Sequence, residues 1–406
     1  MEVLQLYELS YSDLLLVSSN HVSPPSPEEF EKVESTSKAI MEALGPMGPG
    51  LLSITGVPNA AALRRNLLPL ARKLALLEPN HRKLILKDHK LGSDVPLKNP
   101  ERNVSSFAMQ IKYSHDIEDT QLNSEHESVS GFENLGNGFR ELGICMMELG
   151  LRLARICDRA IGGQELEQSL LESGTAKARL IHYHSFLEKT ILVQEARPKK
   201  AVNSKRIRIG DEDKRSGGDD SSNLWQQWHY DYGIFTVLTA PLFVLASNAQ
   251  APEEREECAY PNGHTYLQVF DPSKNNVFMV KASPESFIIQ VGESADIISR
   301  GKLRATLHSV ARPPKFENLS RETFVLFLQP AWNKTFSTED YPMNQISGTS
   351  FEVKRDDELE RSRLTEEIQK IVPPLAMRLK NGMTFADFSR ETTKQYYGGT
   401  GLQSNR

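Results

Sequence analysis

The chain has 406 residues, 39% hydrophobic and 25% charged, as in water-soluble globular proteins with room for one large domain or two. Its net charge of -5 argues against general nucleic-acid binding, and no run approaches the roughly 18–20 apolar residues that span a bilayer. Cys145, Cys157 and Cys258 are too few for a disulfide framework and lack metal-site spacing, so a reducing compartment is expected, the cytoplasm or alternatively the nucleus.

The first residues carry acid where a secretory leader is basic, so secretion is not expected. Residues 10–17 read as an opening strand. Prolines between 24 and 27 lead into a helix from Glu28 toward Leu44, with Ser26 as its cap. Leu63, Leu67, Leu70, Leu74 and Leu77 set a helix over 60–77. Phe139, Leu142, Met146, Leu149, Leu153 and Ile156 set another over 139–161. Between them, residues 88–130 are polar and loop-like. From Tyr183 onward short strand-like runs dominate, the pattern of a β core flanked by helices.

Two insertions interrupt that core. The first, near 197–222, reads as a solvated excursion: basic Lys205-Arg206-Ile207-Arg208 meets acidic Asp211-Glu212-Asp213 at once, which weighs against a nuclear signal. The second, near 246–263, carries Glu253, Glu254, Glu256 and Glu257 and is lid-like. Helix returns over 358–372 and again from Phe385.

The chemistry concentrates in His229-Tyr230-Asp231, His308 and Arg321-Glu322-Thr323. Residues 228–239 alternate like a strand, in which His229 and Asp231 face the same way and can share an ion. His308 follows β-like runs at 295–299 and 303–307. Two imidazoles and one carboxylate form the 2-His-1-carboxylate set of non-haem Fe(II) oxygenases, which leaves metal positions open. His-x-Asp alone also fits a surface pair or a hydrogen-bonded core histidine. Arg321 opens an apolar run ending in Leu328. On a strand it shares a face with Thr323, and its planar fork matches a carboxylate. An ordinary strand-end charge is the alternative. His264 and the His182/His184 pair are alternative ligands.

Together these segments resemble the plant-type 2-oxoglutarate/Fe(II)-dependent dioxygenase superfamily, the isopenicillin N synthase-like branch. Residues 50–58 are similar to its early strand and turn. Arg179-Leu180-Ile181-His182-Tyr183-His184 sits where members carry Arg-Leu-Asn-Tyr-Tyr-Pro, and Tyr266-Leu267-Gln268-Val269-Phe270 and Phe287-Ile288-Ile289-Gln290-Val291-Gly292-Glu293 resemble later strands. The resemblance covers most of 10–345. It implies an α+β protein with a double-stranded β-helix (jelly-roll) core between N-terminal and C-terminal helices. The expected regions are 1–175, a jelly roll over 176–345, and a C-terminal helical extension over 346–406.

The resemblance further implies Fe(II) held by His229, Asp231 and His308. Arg321, Thr323 and Tyr183 would hold 2-oxoglutarate as cosubstrate, with dioxygen consumed and ascorbate as an optional support. Ser106, Phe107 and Met109, in a stretch that runs over the barrel mouth in relatives, are substrate-contact candidates beside ordinary packing. The implied activity is hydroxylation or desaturation of a small organic metabolite by a monomer, without nucleic acid or membrane. Ile181 and His182 depart from the family's Asn and first Tyr, and Thr323 replaces Ser. These departures keep open a degenerate oxygenase-fold scaffold, or an iron oxidase that does not use 2-oxoglutarate.

Overall fold

The computed structural model describes residues 2–19, 26–113 except 94 and 96, 131–196, 224–246, 255–271 except 259, 274–342 except 340, and 366–397 except 367 and 369. The first insertion and most of the helix expected over 358–372 lie outside the described residues. The N-terminal elements are β1 (Glu2–Gln5), β2 (Glu8–Ser10), α1 (Tyr11–Ser18), α2 (Pro27–Leu44), β3 (Leu51–Thr55), α3 (Ala60–Leu76) and α4 (Pro79–Asp88). Then come β4 (Val104–Lys112), α5 (Leu135–Ile161), α6 (Glu165–Ser173), β5 (Thr175–Tyr183), α7 (Phe186–Ala196), β6 (Leu224–His229), β7 (Phe235–Thr239), β8 (Leu242–Ala246) and β9 (Arg255–Cys258). The chain closes with β10 (Leu267–Asp271), β11 (Asn276–Lys281), β12 (Phe287–Val291), α8 (Glu293–Ile298), β13 (His308–Ala311), β14 (Leu319–Leu328), α9 (Leu375–Arg378) and α10 (Phe385–Tyr397).

Two sheets face each other across an apolar interior. One runs β1-β11-β10-β13-β6; the other runs β2-β3-β12-β7-β14-β5-β4, with β8 beside β14 and β9 beyond β8. Side chains from both sheets, including Leu267, Val269 and Val310 opposite Ile181, Leu238 and Val325, fill the space between them. The outer face of the larger sheet packs against the N-terminal helices through Phe139, Leu153, Phe324 and Leu326. This is the expected jelly-roll core in two-layer form, not a closed barrel. Among the described residues, no helix is long and apolar enough to cross a membrane.

The helices expected from Glu28, over 60–77, over 139–161 and from Phe385 form, and α2 opens with a reciprocal cap between Ser26 and Glu29. Several strand readings are corrected. Residues 11–18 are helical because the Ser10 hydroxyl caps the Asp13 amide, while the following apolar run packs into the helix-side core. Residues 293–298 are α8, with Glu293 and Asp296 placed to favour its first turn. Residues 303–307 are irregular, and His308 begins a strand instead of ending one. The polar stretch 88–130 contains β4, whose apolar residues alternate with polar ones and pack into both layers.

The turn after β6 is locked from two sides. The amides of Glu293 and Ser294 donate to the carbonyls of Asp231 and Gly233, and the Ser294 hydroxyl donates to Tyr232. Tyr230 donates its amide to the Tyr396 hydroxyl of α10, and Arg378 grips Glu293 in a buried two-pronged pair. Backbones meet so closely that a Cβ on Gly292 would lie 2.3 Å from the Gly233 oxygen. Gly292→Ala should therefore cost about 1–3 kcal/mol by overpacking, seen as a lower urea midpoint.

Candidate metal centre

His229 is the last residue of β6 and His308 the first of β13, and they stand opposite each other in the antiparallel register. Their ring centroids lie 4.2 Å apart. His229 Nδ1 is 2.7 Å from the Gln227 carbonyl and His308 Nδ1 is 3.0 Å from that of Thr306. A carbonyl only accepts, so each Nδ1 carries the proton and each Nε2 offers a lone pair. Asp231 completes the group: Oδ1 is 3.7 Å from His229 Nε2, and Oδ2 is 3.8 Å from His308 Nε2. Adjacent ligands on an ion with bonds of about 2.1 Å sit roughly 3 Å apart, so a small contraction closes the site. The three residues fit a divalent cation.

The carboxylate is oriented as well as placed. Asp231 lies beyond the end of β6, in the locked turn, so an extended strand is not what aligns it with His229. Thr236 Oγ1 donates to its Oδ2 at 2.6 Å. Burial first, then the His308 ring, pushes His229 down to about 4 against the pull of Asp231, which keeps the imidazole neutral. Gln226 Nε2 lies 3.0 Å from His229 Nε2, and Gln226 Oε1 accepts from the Tyr183 hydroxyl.

Arg321 and Thr323 do share the inward face of β14, but that strand does not pair with β13. They belong to the opposite sheet, where Arg321 pairs with Tyr183 of β5 and Phe243 of β8. The guanidinium is 2% exposed, lies 4.9 Å from the Tyr183 ring centroid and donates from Nε to the Thr265 carbonyl. Its Nη1 is buried without a hydrogen-bond partner among the described residues. The Thr323 hydroxyl donates to the Thr239 carbonyl and keeps accepting capacity.

The substrate-contact candidates separate. Phe107 and Met109 point into the helix-side core, so packing accounts for both. Ser106 faces the other way, paired with Ile181, and its hydroxyl is buried and unpartnered. His264 stacks on Tyr266 and accepts from the Tyr266 amide, away from the ligand group.

His182 and His184 join Glu188 in a second group that satisfies geometric criteria for a metal. The hydrogen bonding favours an ion network there. His182 donates through Nδ1 to Glu322 and through Nε2 to Glu188, leaving no lone pair, and Arg72 Nε donates to Glu188 at 2.6 Å. Burial alone would lower the His182 pKa, but Glu322 and then Glu188 raise it to about 9. This buried cation ties β5 to β14, α7 and α3.

No protein-family model matches the sequence, and no curated protein matches it. Solved structures do. A full-length Neurospora crassa protein in complex with alpha-KG and 5-formyluracil aligns at a TM-score of 0.52 and 15% identity, over 88% of this chain and 94% of that one. The rice dioxygenase for auxin oxidation aligns at 0.50 and 16%, over 89% of this chain and 96% of that one. At such identities the likeness is one of fold: the chain has the jelly-roll fold of the 2-oxoglutarate/Fe(II) oxygenases, as its motifs anticipate.

Sequence reading missed Thr236 and Gln226, which contact the candidate ligands, and also Gln290 and Tyr260, whose buried side-chain polar atoms have no hydrogen-bond partner among the described residues. A polar residue inside an apolar strand run was the available signal for Thr236 and Gln290. Tyr260 sits in an insertion and carried none. Two outcomes are expected. Thr236→Val should weaken Mn(II) binding about 10–100-fold in equilibrium dialysis, whereas His229→Ala abolishes it. His182→Leu should cost about 3–5 kcal/mol by stranding the buried Glu322 carboxylate and leaving Glu188 to Arg72 alone. The folded-state pKa of His182 is raised to about 9, so wild-type stabilisation from it is full below the ordinary histidine value and fades as pH rises through about 9. Urea midpoints across that range read this loss, which His182→Leu should lack.

Proposed function

We propose that the protein is an Fe(II)- and 2-oxoglutarate-dependent oxygenase acting on a small organic metabolite. One observation carries the reading. The His229–Asp231–His308 group and the buried guanidinium of Arg321, whose Nη1 has no hydrogen-bond partner among the described residues, look into the same interior from opposite sheets. A buried charged donor without a partner costs several kcal/mol, so a site that keeps one is built for an anion that arrives. The fold supports this reading, and the two similar structures cited above include one in complex with alpha-KG and one of a dioxygenase.

His229, Asp231 and His308 would hold Fe(II), which, when bound with 2-oxoglutarate and dioxygen, supplies oxidation of a substrate C–H bond with release of succinate and carbon dioxide. Nδ1–H bonds to Gln227 and Thr306 aim the two imidazoles. The Thr236 hydroxyl steadies the Asp231 carboxylate. Arg321 receives the distal carboxylate of the cosubstrate, with Thr323 as a hydroxyl beside it, and the Tyr183 ring flanks the guanidinium. The apolar walls between the sheets exclude water and strengthen each of these contacts.

Substrate recognition falls to inward polar groups that the core leaves unsatisfied. Gln290 is 1% exposed, pairs with Thr236 across β12 and β7, and has both amide atoms unpartnered. Ser106 is the second such group. Both suit a substrate with hydrogen-bonding atoms near the carbon to be oxidised.

Protein loaded with Fe(II) and supplied with ascorbate should convert 2-oxoglutarate to succinate. In Arg321→Leu the apparent KM for 2-oxoglutarate should rise about 100-fold. Saturation of wild type to 100 times Kd should add about 2.7 kcal/mol of stability, visible as a higher Tm. Iron retention without succinate, and without any Tm response to 2-oxoglutarate, would favour the scaffold alternative.

A further inference from the structure

The second insertion carries one aromatic side chain against the apolar interior between the sheets. It ends by sending Tyr260 into the sheet interior. β9 of this insertion pairs with β8, whose Phe243 stands opposite Arg321 in the register. The Tyr260 ring packs edge-on against Phe243, with centroids 5.9 Å apart. Its hydroxyl is buried and has no hydrogen-bond partner among the described residues. Arg321, whose Nη1 is likewise buried without a hydrogen-bond partner among the described residues, is the residue paired with Phe243 across β14 and β8.

Two unpaired donors, one cationic and one phenolic, thus flank one aromatic side chain. Each costs stability on its own, and water is a poor explanation among Phe243, Tyr266 and the Tyr183 ring. An anion with two oxygens satisfies both at once. Burial drives the Tyr260 pKa up to about 12 despite Arg64 and Arg321, so the phenol keeps its proton and donates at neutral pH.

We infer that Tyr260 is a cosubstrate-binding residue, donating its O–H to the distal carboxylate that Arg321 binds. This rests on the 2-oxoglutarate reading above and assigns the insertion a part in it. Delivery of a ligand group from an inserted hairpin also explains how a site can hold the carboxylate with Ile181, which has no hydrogen-bonding side chain, on the neighbouring strand.

The test uses Mn(II)-loaded full-length protein, so the readout is binding and not turnover. Calorimetric titration of 2-oxoglutarate should give a Kd about tenfold or more higher for Tyr260→Phe than for wild type, the usual worth of a hydrogen bond to a charged group. Titration of 2-oxobutyrate, which keeps the oxo-acid end and lacks the distal carboxylate, should give the same Kd for both proteins. The unliganded Tm of Tyr260→Phe should equal or exceed that of wild type, since an unsatisfied hydroxyl is removed. Equal affinities of both proteins for 2-oxoglutarate, or an equal loss for both ligands, would overturn the assignment while leaving the oxygenase reading intact. A wild type that does not bind 2-oxoglutarate overturns both.

Discussion

Everything chemical in this protein depends on the antiparallel pairing of β6 with β13 at the ends that carry His229 and His308. That register sets His229 against His308, and neither ring could be aimed without the backbone carbonyl it donates to. The third member comes from a turn, and a turn is soft unless it is gripped. Here α8 takes the carbonyls of Asp231 and Gly233, while Tyr396 of α10 accepts the Tyr230 amide. The C-terminal elements are thus braces for a ligand that lies far from them in the chain. Gly292 is required because any side chain there would push this contact apart.

Period-two alternation lets two adjoining strands do opposite work on their two faces. On β14 and β5 the inward residues Arg321, Thr323 and Tyr183 face the interior, and the outward His182 and Glu322 belong to the buried ion network. On the outward face the carboxylates of Glu188 and Glu322 are matched by His182 and Arg72. The inward face is left wanting, with Arg321 Nη1, Tyr260 Oη and the Gln290 amide unpartnered. A one-residue register slip would exchange the two faces and lose both.

Much of this was legible beforehand. Helices α2, α3 and α5 announce themselves by leucine and methionine stripes, because amphipathic spacing reports directly on which side is buried. The convergence of His229, Asp231 and His308 was readable because the chemistry of a metal site demands particular residue types in a particular order. Short apolar runs were not. Residues 11–18 and 293–298 look strand-like by composition, yet a serine cap in one case and an acidic first turn in the other made them helices. Phe107 and Met109 were misplaced because alternation alone does not say which face of β4 meets the helices.

The sequence by itself determined the core fold and the identity of the groups that can hold an ion and an acid, since those follow from periodicity and from side-chain chemistry. Only the tertiary structure decided which histidines stand free to ligate and which are locked between carboxylates, because that depends on what each ring nitrogen meets. It also decided that Tyr260 reaches the interior. Hairpin β8–β9 carries that residue there through cross-strand pairing, a long-range contact that local pattern does not encode.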